Sequence, residues 1–545
     1  MKKSIILAAV VALPAVAVAQ SAVDAYNLST SDLRGTARFM SMAGAFGALG
    51  GDLSTLTQNP AGIGVYRGSD IGITLDINMT SSRTNSGSGI GSMSKTHVYC
   101  NNVGYIGTSI LGGETMPTFS WGVSYNRAAS FDRSYRGSIG SLNTSMSNYI
   151  ANFSRAYSPD DLGETDSYNP FQSSKNIDWM SIMAYNSFLI SPSGPDGSYN
   201  GLWVPGTTLG NAEFSTRERG YVDEYSINAG GNVMNTLYWG IGLGITDISM
   251  TQDTFYDEEL TDADVYDKQQ NAIVPGDAYY ALRNHSTTSG TGFNLKLGVI
   301  LKPINELRLG LAVHTPTWYS MSTHYASTID YSYGYNFNVN GTPEGSNEGQ
   351  YYSDDAYYDW RMKSPWRLIA SAAGVIGGRF IISADYEYKA MDNMSVSVPV
   401  GYGDFEKDEY VSEDVKAYYK PTNTLRIGTE YRVTPQFSLR AGYSHSTTSV
   451  DSRYNEGAAG CYVATSGTNP SYTMDKGTDY VTFGLGYRTG GFYVDAAYVY
   501  KKTSSTWHAF SSYEDPAAAG AWTYAPRASL DLKNNNIVLS IGYKF

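Results

Sequence analysis

From residue 70 onward, apolar and polar residues alternate in short runs separated by turn-forming residues. In Asp70–Met79, Ile71, Ile73, Leu75, Ile77 and Met79 fall on one face, and Asp70, Gly72, Thr74, Asp76 and Asn78 on the other. A period of two is the signature of a strand with unlike faces. It recurs in His97–Ser109, Thr118–Arg127, Tyr221–Val233, Leu237–Met250, Gly292–Lys302, Leu307–Tyr319, Trp366–Val375, Arg379–Lys389, Thr424–Val433, Phe437–Ser446, Asp479–Arg488, Phe492–Tyr500 and Asn536–Phe545. With the first run these predict fourteen strands.

Alternation alone fits a soluble sandwich as well as a membrane barrel. The two faces and the connectors separate them. One face is repeatedly small and polar, as at Gly240, Gly242 and Gly244, while the other is apolar and often ends in an aromatic. Connectors after even-numbered strands are short: around Gly112-Gly113, Met234–Thr236, Pro303–Glu306, Gly377-Gly378, Thr434–Gln436 and Thr489–Gly491. Those after odd strands are long. Short turns alternating with long loops match an antiparallel transmembrane β-barrel of the bacterial outer membrane, with turns in the periplasm and loops outside. The final strand, with Ile537, Leu539, Ile541, Tyr543 and Phe545 in phase, ends on an aromatic. It resembles the signal read by barrel-assembly machinery, which makes that machinery an expected partner.

Two segments lack the alternation. Residues 1–19 carry Lys2 and Lys3, an apolar run Ile5–Val18 and the A-x-A site Ala17-Val18-Ala19, the layout of a secretory signal peptide. Residues 20–67 are Gly- and Ala-rich and contain Asn59-Pro60-Ala61-Gly62. They are read as a plug, or hatch, that folds back into the lumen. The barrel occupies 68–545, and its largest extracellular loop spans about 128–220. Within that loop Ile139–Tyr157 and Asn176–Ile190 have helical apolar spacing. They predict helices that cap the barrel or offer an apolar landing surface.

Composition narrows the function. The chain of 545 residues carries a net charge of −13, which excludes nucleic acid as a partner. Its mean hydropathy of −0.29 and the lack of a long apolar run exclude transmembrane helices, but not strands that show lipid only alternate residues. Cys100 and Cys461 permit one disulfide and no framework. No metal-ligand spacing is present, and no His belongs to a nucleophile–base motif, so neither cofactor nor catalysis is expected. The acidic run Asp253–Asp267 lacks calcium-loop spacing and reads as a solvated loop. Trp121, Trp239, Trp318, Tyr319, Trp360, Trp366, Tyr443, Tyr498 and Tyr500 are read as interfacial girdles.

By parity the lumen-facing residues include Asp385, Arg426, Glu430 and Arg440. Desolvated charges in a narrow lumen must pair or reach water. They either hold wall and plug together or, through an arginine, receive a ligand headgroup.

Gly35-Thr36-Ala37-Arg38, Gly44-Ala45-Phe46-Gly47-Ala48 and Asn59-Pro60-Ala61-Gly62 resemble the hatch of the FadL/TodX family of outer-membrane transporters for long-chain fatty acids and aromatic hydrocarbons. His314-Thr315-Pro316, Ser364-Pro365-Trp366-Arg367, Ala384-Asp385-Tyr386, Leu425–Arg432 and Ser438–Tyr443 add to the likeness. The resemblance implies fourteen strands around a hatch and passive passage of a hydrophobic small molecule by a monomer embedded in outer-membrane lipid. It further implies capture outside, an internal apolar pocket, and lateral exit at a kink in the third strand, Thr118–Arg127, where Gly122 is compatible with a bend. Asn59, Pro60, Ala61 and Gly62 would form the gate facing that exit. A rival reading is a surface-binding protein or haemin receptor with the barrel as anchor and His285, His324 or His508 on iron.

Overall fold

The computed structural model describes residues 20–193, 198–337, 343–401, 403–515 and 520–545. The predicted signal segment, 1–19, lies outside the described residues. Fourteen antiparallel strands close into one barrel. They are β1 (Asp70–Asn85), β2 (Ile90–Ile110), β3 (Thr118–Ser130), β4 (Leu209–Val233), β5 (Leu237–Asp267), β6 (Ala272–Ile304) and β7 (Leu307–His314). The circuit continues through β8 (Arg367–Ile376), β9 (Phe380–Lys389), β10 (Thr422–Arg432), β11 (Phe437–Thr447), β12 (Tyr472–Thr489), β13 (Phe492–His508) and β14 (Arg527–Lys544). The seam pairs β1 with β14 without a break, from Asp70↔Lys544 to Asn85↔Ser529.

Lipid selects the outward face. Ile71, Ile73, Leu75 and Ile77 of β1 and Ile537, Leu539 and Ile541 of β14 are all exposed, while their in-between neighbours Gly72, Thr74, Asp76, Val538 and Ser540 point inward. No helix among the described residues is long and apolar enough to cross a membrane, so the strands do the crossing. The short turns use the backbone conformations that tight hairpins need: Met234 and Asn235 have φ of 51° and 57°, and Gly377 and Gly378 of 57° and 66°.

The structure departs from the sequence expectations in three places and settles the state of the two cysteines. Asp253–Asp267 is not a loop; β5 runs through it for 31 residues, and β4 and β6 extend with it for 25 and 33. The expected single strand Leu307–Tyr319 breaks at Pro316, which has no N–H for the ladder, and resumes as Trp318–Phe337. Tyr319 and Trp360 belong to no girdle; both are buried, and the Trp360 indole N–H donates to Thr323 Oγ1 at 3.0 Å. Cys100 and Cys461 are free, one on β2 and the other buried among the extracellular loops.

The two helices of the long loop form. Met146–Phe153 is shorter than expected, as is Trp179–Asn186. Met146, Tyr149, Ile150, Met180, Ile182 and Met183 are buried together with Tyr280, Tyr333 and Trp507 of the extended strands. Their apolar surface is spent on capping the extracellular end.

Candidate functional site: the hatch and the chamber above it

Residues 20–67 lie inside the barrel. Helix α1 (Ala22–Ser29) stands nearest the extracellular loops and is followed by α2 (Ala37–Ser41) and α3 (Thr55–Gln58). Ser21 and Asp24 close α1 with a capping box, and Thr36 caps α2 by accepting from the Phe39 N–H. Tyr26 of α1 stacks on Tyr419, with ring centroids 4.6 Å apart. The hatch meets the wall through apolar packing, as where Phe39, Met40, Met42 and Phe46 bury against Ile381, Ala497 and Val538, and through polar contacts.

A buried ion-pair network and a carboxylate acting on the backbone tie it down. Arg38 Nε pairs with Glu430 Oε2 at 2.9 Å, and Arg440 bridges Glu430 at 2.7 Å to Asp495 at 2.6 Å. Asp385 acts on the hatch backbone: its Oδ2 accepts from the Phe46 N–H at 3.1 Å, the Gly47 N–H at 2.9 Å and Gln58 Nε2 at 3.0 Å. Arg308 Nη1 donates to Leu49 O at 2.6 Å, His314 Nε2 to Gln58 O at 2.8 Å, and the Ala37 N–H to Ser540 Oγ at 2.7 Å. Glu430, Arg440 and Asp385 are thus structural fasteners here. Arg38, Arg308 and His314 complete the fastening and were not singled out as site residues. Only their lumen-facing parity or hatch position marks them in the sequence.

Asn59-Pro60-Ala61-Gly62 forms the start of a 3₁₀ turn, Pro60–Val65. Asn59 is its N-cap. Its Oδ1 accepts from the Ala61 N–H at 3.1 Å, and its Nδ2 donates to Gly47 O at 2.6 Å and reaches Val299 O of β6 at 3.4 Å. Proline at the first helical position loses no bond. The turn lies on a shelf of wall glycines, one on each of four neighbouring strands. A Cβ at Gly230, Gly240, Gly298 or Gly310 would sit 2.5 Å or closer to Ile63, Pro60 O, Asn59 Oδ1 or Gly47 O. That is the physical use of the inward glycines seen in the sequence. The turn itself packs on β4, β5 and β6 and borders β3, where Ile63 reaches Gly122; the β7 glycine, Gly310, receives Gly47 beside it.

The third strand does not bend at Gly122. β3 stays paired with β2 from Thr118↔Ile110 to Asn126↔Asn102 and with β4 through Arg127↔Asp223. Only then does a bulge between Arg127 and Ala129 turn the chain inward, and Arg133–Ile139 runs on along β4. β2 and β3 therefore part above Asn102 and Asn126.

Above the hatch lies a chamber of about 300 Å³. Gln58 and Phe39 floor it, and Asn78, Thr424, Ser444 and Thr478 are among its walls. Its inward-facing wall residues are mostly Ser, Thr, Asn and charged, while Leu33, Phe39, Phe131, Met250, Met391 and Leu532 add apolar surface. Arg426 is part of the wall. Glu387 Oε2 receives both Arg367 Nη2 at 2.7 Å and Arg426 Nη2 at 2.8 Å, while Lys389 Nζ, also at the wall, donates to Ser29 O at 2.6 Å. Two arginines share one carboxylate, and Arg426 Nη1 and Arg367 Nε are buried with no hydrogen-bond partner among the described residues.

The histidines named for iron divide. His508 is buried, its Nε2 donates to Asn455 O at 3.1 Å, and its ring stacks on Tyr472. Burial holds it as neutral imidazole, its pKa lowered to about 4. His285 and His324 lie close, ring centroids 6.5 Å apart, each bonded to its own aspartate, Asp253 or Asp355. No group of three or more His, Cys, Asp or Glu among the described residues has the geometry of a metal site.

A closed barrel with lipid-facing alternation and a hatch fastened around its inner wall defines an outer-membrane β-barrel of the plugged class. No family model matches the chain, and no curated protein matches it in sequence. Solved structures do. A Pseudomonas aeruginosa FadL homologue shares 12% identity, with 95% of this chain and 100% of that one covered and a TM-score of 0.51. A deletion mutant of the monoaromatic hydrocarbon channel TodX shares 14%, covering 94% and 100%, with a TM-score of 0.51. The P. putida toluene transporter TodX itself shares 13%, covering 94% and 99%, with a TM-score of 0.49. The chain has the fold of the FadL/TodX-type outer-membrane transporters.

Proposed function

We propose that this protein is an outer-membrane channel of a Gram-negative bacterium for passive uptake of small hydrophobic molecules, long-chain fatty acids or aromatic compounds, gated by the hatch. The observation that carries this reading is the hatch itself. It fills the barrel, is fastened by discrete polar contacts of a few residues each beside its apolar packing, and borders a chamber of about 300 Å³. The solved structures of the same fold include a toluene transporter and a monoaromatic hydrocarbon channel. Nothing in the mechanism calls for a nucleotide, a redox group or a catalytic residue.

Between the two ligand classes, the chamber favours the fatty acid. Arg426, Arg367 and Lys389 cluster beside Glu387 on the chamber wall, and a carboxylate headgroup entering there would be drawn to them while its chain lies against Phe39 and Leu33. Asn59, Pro60, Ala61 and Gly62 act as the gate element, because Asn59 joins the turn to both Gly47 and β6. The test is uptake into liposomes carrying the purified protein. Oleate should enter faster than into empty liposomes; Arg426→Ala should slow oleate several-fold while leaving toluene unchanged, and Asn59→Ala with Pro60→Ala should alter both rates. Equal rates with and without protein would refute the channel reading.

A further inference from the structure

The departure of β3 from β2 leaves one ladder unfinished. From Ile90 to Asn101, β2 is bonded on one side only, to β1, in a register running from Asn85↔Ile90 to Leu75↔Cys100. Its pairing with β3 begins at Asn102. The strand that might have taken the place, Arg133–Ile139, pairs with β4 and passes behind β2 instead. Ser82 Oγ donates to Ser134 O at 2.5 Å, Ser86 Oγ to Ser138 O at 2.6 Å, and the Gly140 N–H to Ser88 Oγ at 2.7 Å. A Cβ at Gly91 would fall 2.0 Å from Arg136 O, so this strand lies on the inner face of the hairpin and not along its edge. Among the described residues, nothing pairs with the outer edge of β2 over Ile90–Asn101.

We infer that this edge is a strand-addition site, which accepts an extended segment of a partner protein at the cell surface. An unpaired strand edge presents alternating N–H and C=O groups, and only another extended backbone matches both at ladder spacing. Its height reinforces this. Val98 and Cys100 sit opposite Ile77 and Leu75, within the lipid-facing band, where unpaired backbone groups are costly. Ile90–Thr96 stands above the band, opposite Arg83 and Ser81, so a strand can enter from outside and zip downward.

The edge also specifies its occupant. Ser92, Ser94, Thr96 and Val98 form its outward face, which pairs best with small or β-branched side chains at alternate positions. Lys95 has no ion-pair partner among the described residues, so an acidic residue opposite it is favoured. A second copy of this chain does not fit. Two barrels in one membrane are related by an axis along the membrane normal, which sets both β2 strands the same way up. With each tilted about 40°, they would cross steeply and could not pair antiparallel.

The test uses purified protein in nanodiscs with Cys100→Ser, Cys461→Ser and Ser94→Cys. The probes are synthetic peptides copying Ile77–Asn85, the natural antiparallel partner of β2, each with one cysteine at successive positions; a scrambled set is the control. The expected result is a disulfide yield that alternates with position, peaks in one register and exceeds the scrambled set at least tenfold. Moving the cysteine to Thr96→Cys should shift that peak by two positions, which also guards against a local effect at Ser94. Deuterium exchange should show every second amide of 90–97 fast in the protein alone and slowed by the peptide. The inference is overturned if native and scrambled peptides trap equally without register, or if all these amides are already protected before any peptide is added.

Discussion

Arg38 of the hatch and Glu430 of β10 stand 2.9 Å apart although 392 residues separate them, and both are buried. The pair is shared: Arg440 holds the same carboxylate from the wall side. Removing one partner of such a system leaves an uncompensated charge and costs about 3–5 kcal/mol. Glu430→Leu leaves Arg440 with Asp495 but strips Arg38 of its ion-pair partner, and should release α2 from the wall. The expected outcome is a clear rise in single-channel conductance across planar bilayers. Arg38→Met leaves Glu430 with Arg440 and should give a smaller rise. Identical conductance in all three proteins would show that the pair does not hold the hatch.

The glycine shelf gives a second prediction. Asn59→Ala removes the bonds to Gly47 O and to the Ala61 N–H and leaves a buried carbonyl unpaired, a loss of about 1–3 kcal/mol. Gly240→Val attacks the same contact from the wall, since even a Cβ there meets Pro60 O at 2.2 Å. Both variants should expose 44–62 to added protease while the wall stays intact. Cleavage rates equal to the unaltered protein would count against the shelf as the seat of the turn.

The extracellular cap should respond to pH through Glu258. Its side chain lies fully buried on β5, well above the lipid-facing band. Its Oε1 accepts from the Met146 N–H at 2.9 Å and from the Tyr256 hydroxyl at 2.7 Å; Ser145 and Tyr280 face it too, and among the described residues it has no ion-pair partner. Burial pushes its pKa from 4.5 up to about 7. A carboxyl raised in the folded state favours the protonated form. Its stabilisation of the cap is therefore complete below pH 4.5 and is lost as pH rises through about 7, to the extent of roughly 3 kcal/mol. Exchange of the Met146–Phe153 amides should accelerate between about pH 4.5 and 7 beyond the intrinsic chemical rate. Glu258→Gln should remove that excess.

Phe545 gives a fourth. Its backbone exchanges two hydrogen bonds with Ser69, at 2.8 and 3.0 Å, but its ring is exposed and free to be read by another protein. Deleting it should lower the amount of barrel in the outer membrane several-fold in cells while leaving the heat stability of protein refolded in detergent nearly unchanged. An equal loss in both measurements would assign Phe545 to stability alone.

Every one of the wall strands was legible in the sequence, because lipid forces one face to be apolar and the lumen forces the other to be polar. That signal stops at the membrane surface. In Asp253–Asp267 water lies outside and the tyrosine-rich cap inside, so strand and acidic loop read alike. The Gly/Ala-rich hatch was legible as a segment, and its Asn59–Ala61 turn as a special element. Where that turn rests was not. Which wall glycines it meets, and which of Asp385, Glu430 and Arg426 are taken up by the hatch or left facing the chamber, depends on pairings hundreds of residues apart that no local pattern encodes.

The seam between β1 and β14 sets an order of events during assembly. The hatch joins the wall at Ser69, beside that seam, and its anchors lie on strands as far along as β10, β11, β13 and β14. A finished hoop with all its strands laced would have to admit this whole bundle of helices through a chamber crowded by charge. The hatch must instead be in place while the hoop is still open, with the wall drawn around it and the β1–β14 clasp fastened last. The plug is thereby a mould on which the cylinder is cast, as well as its stopper.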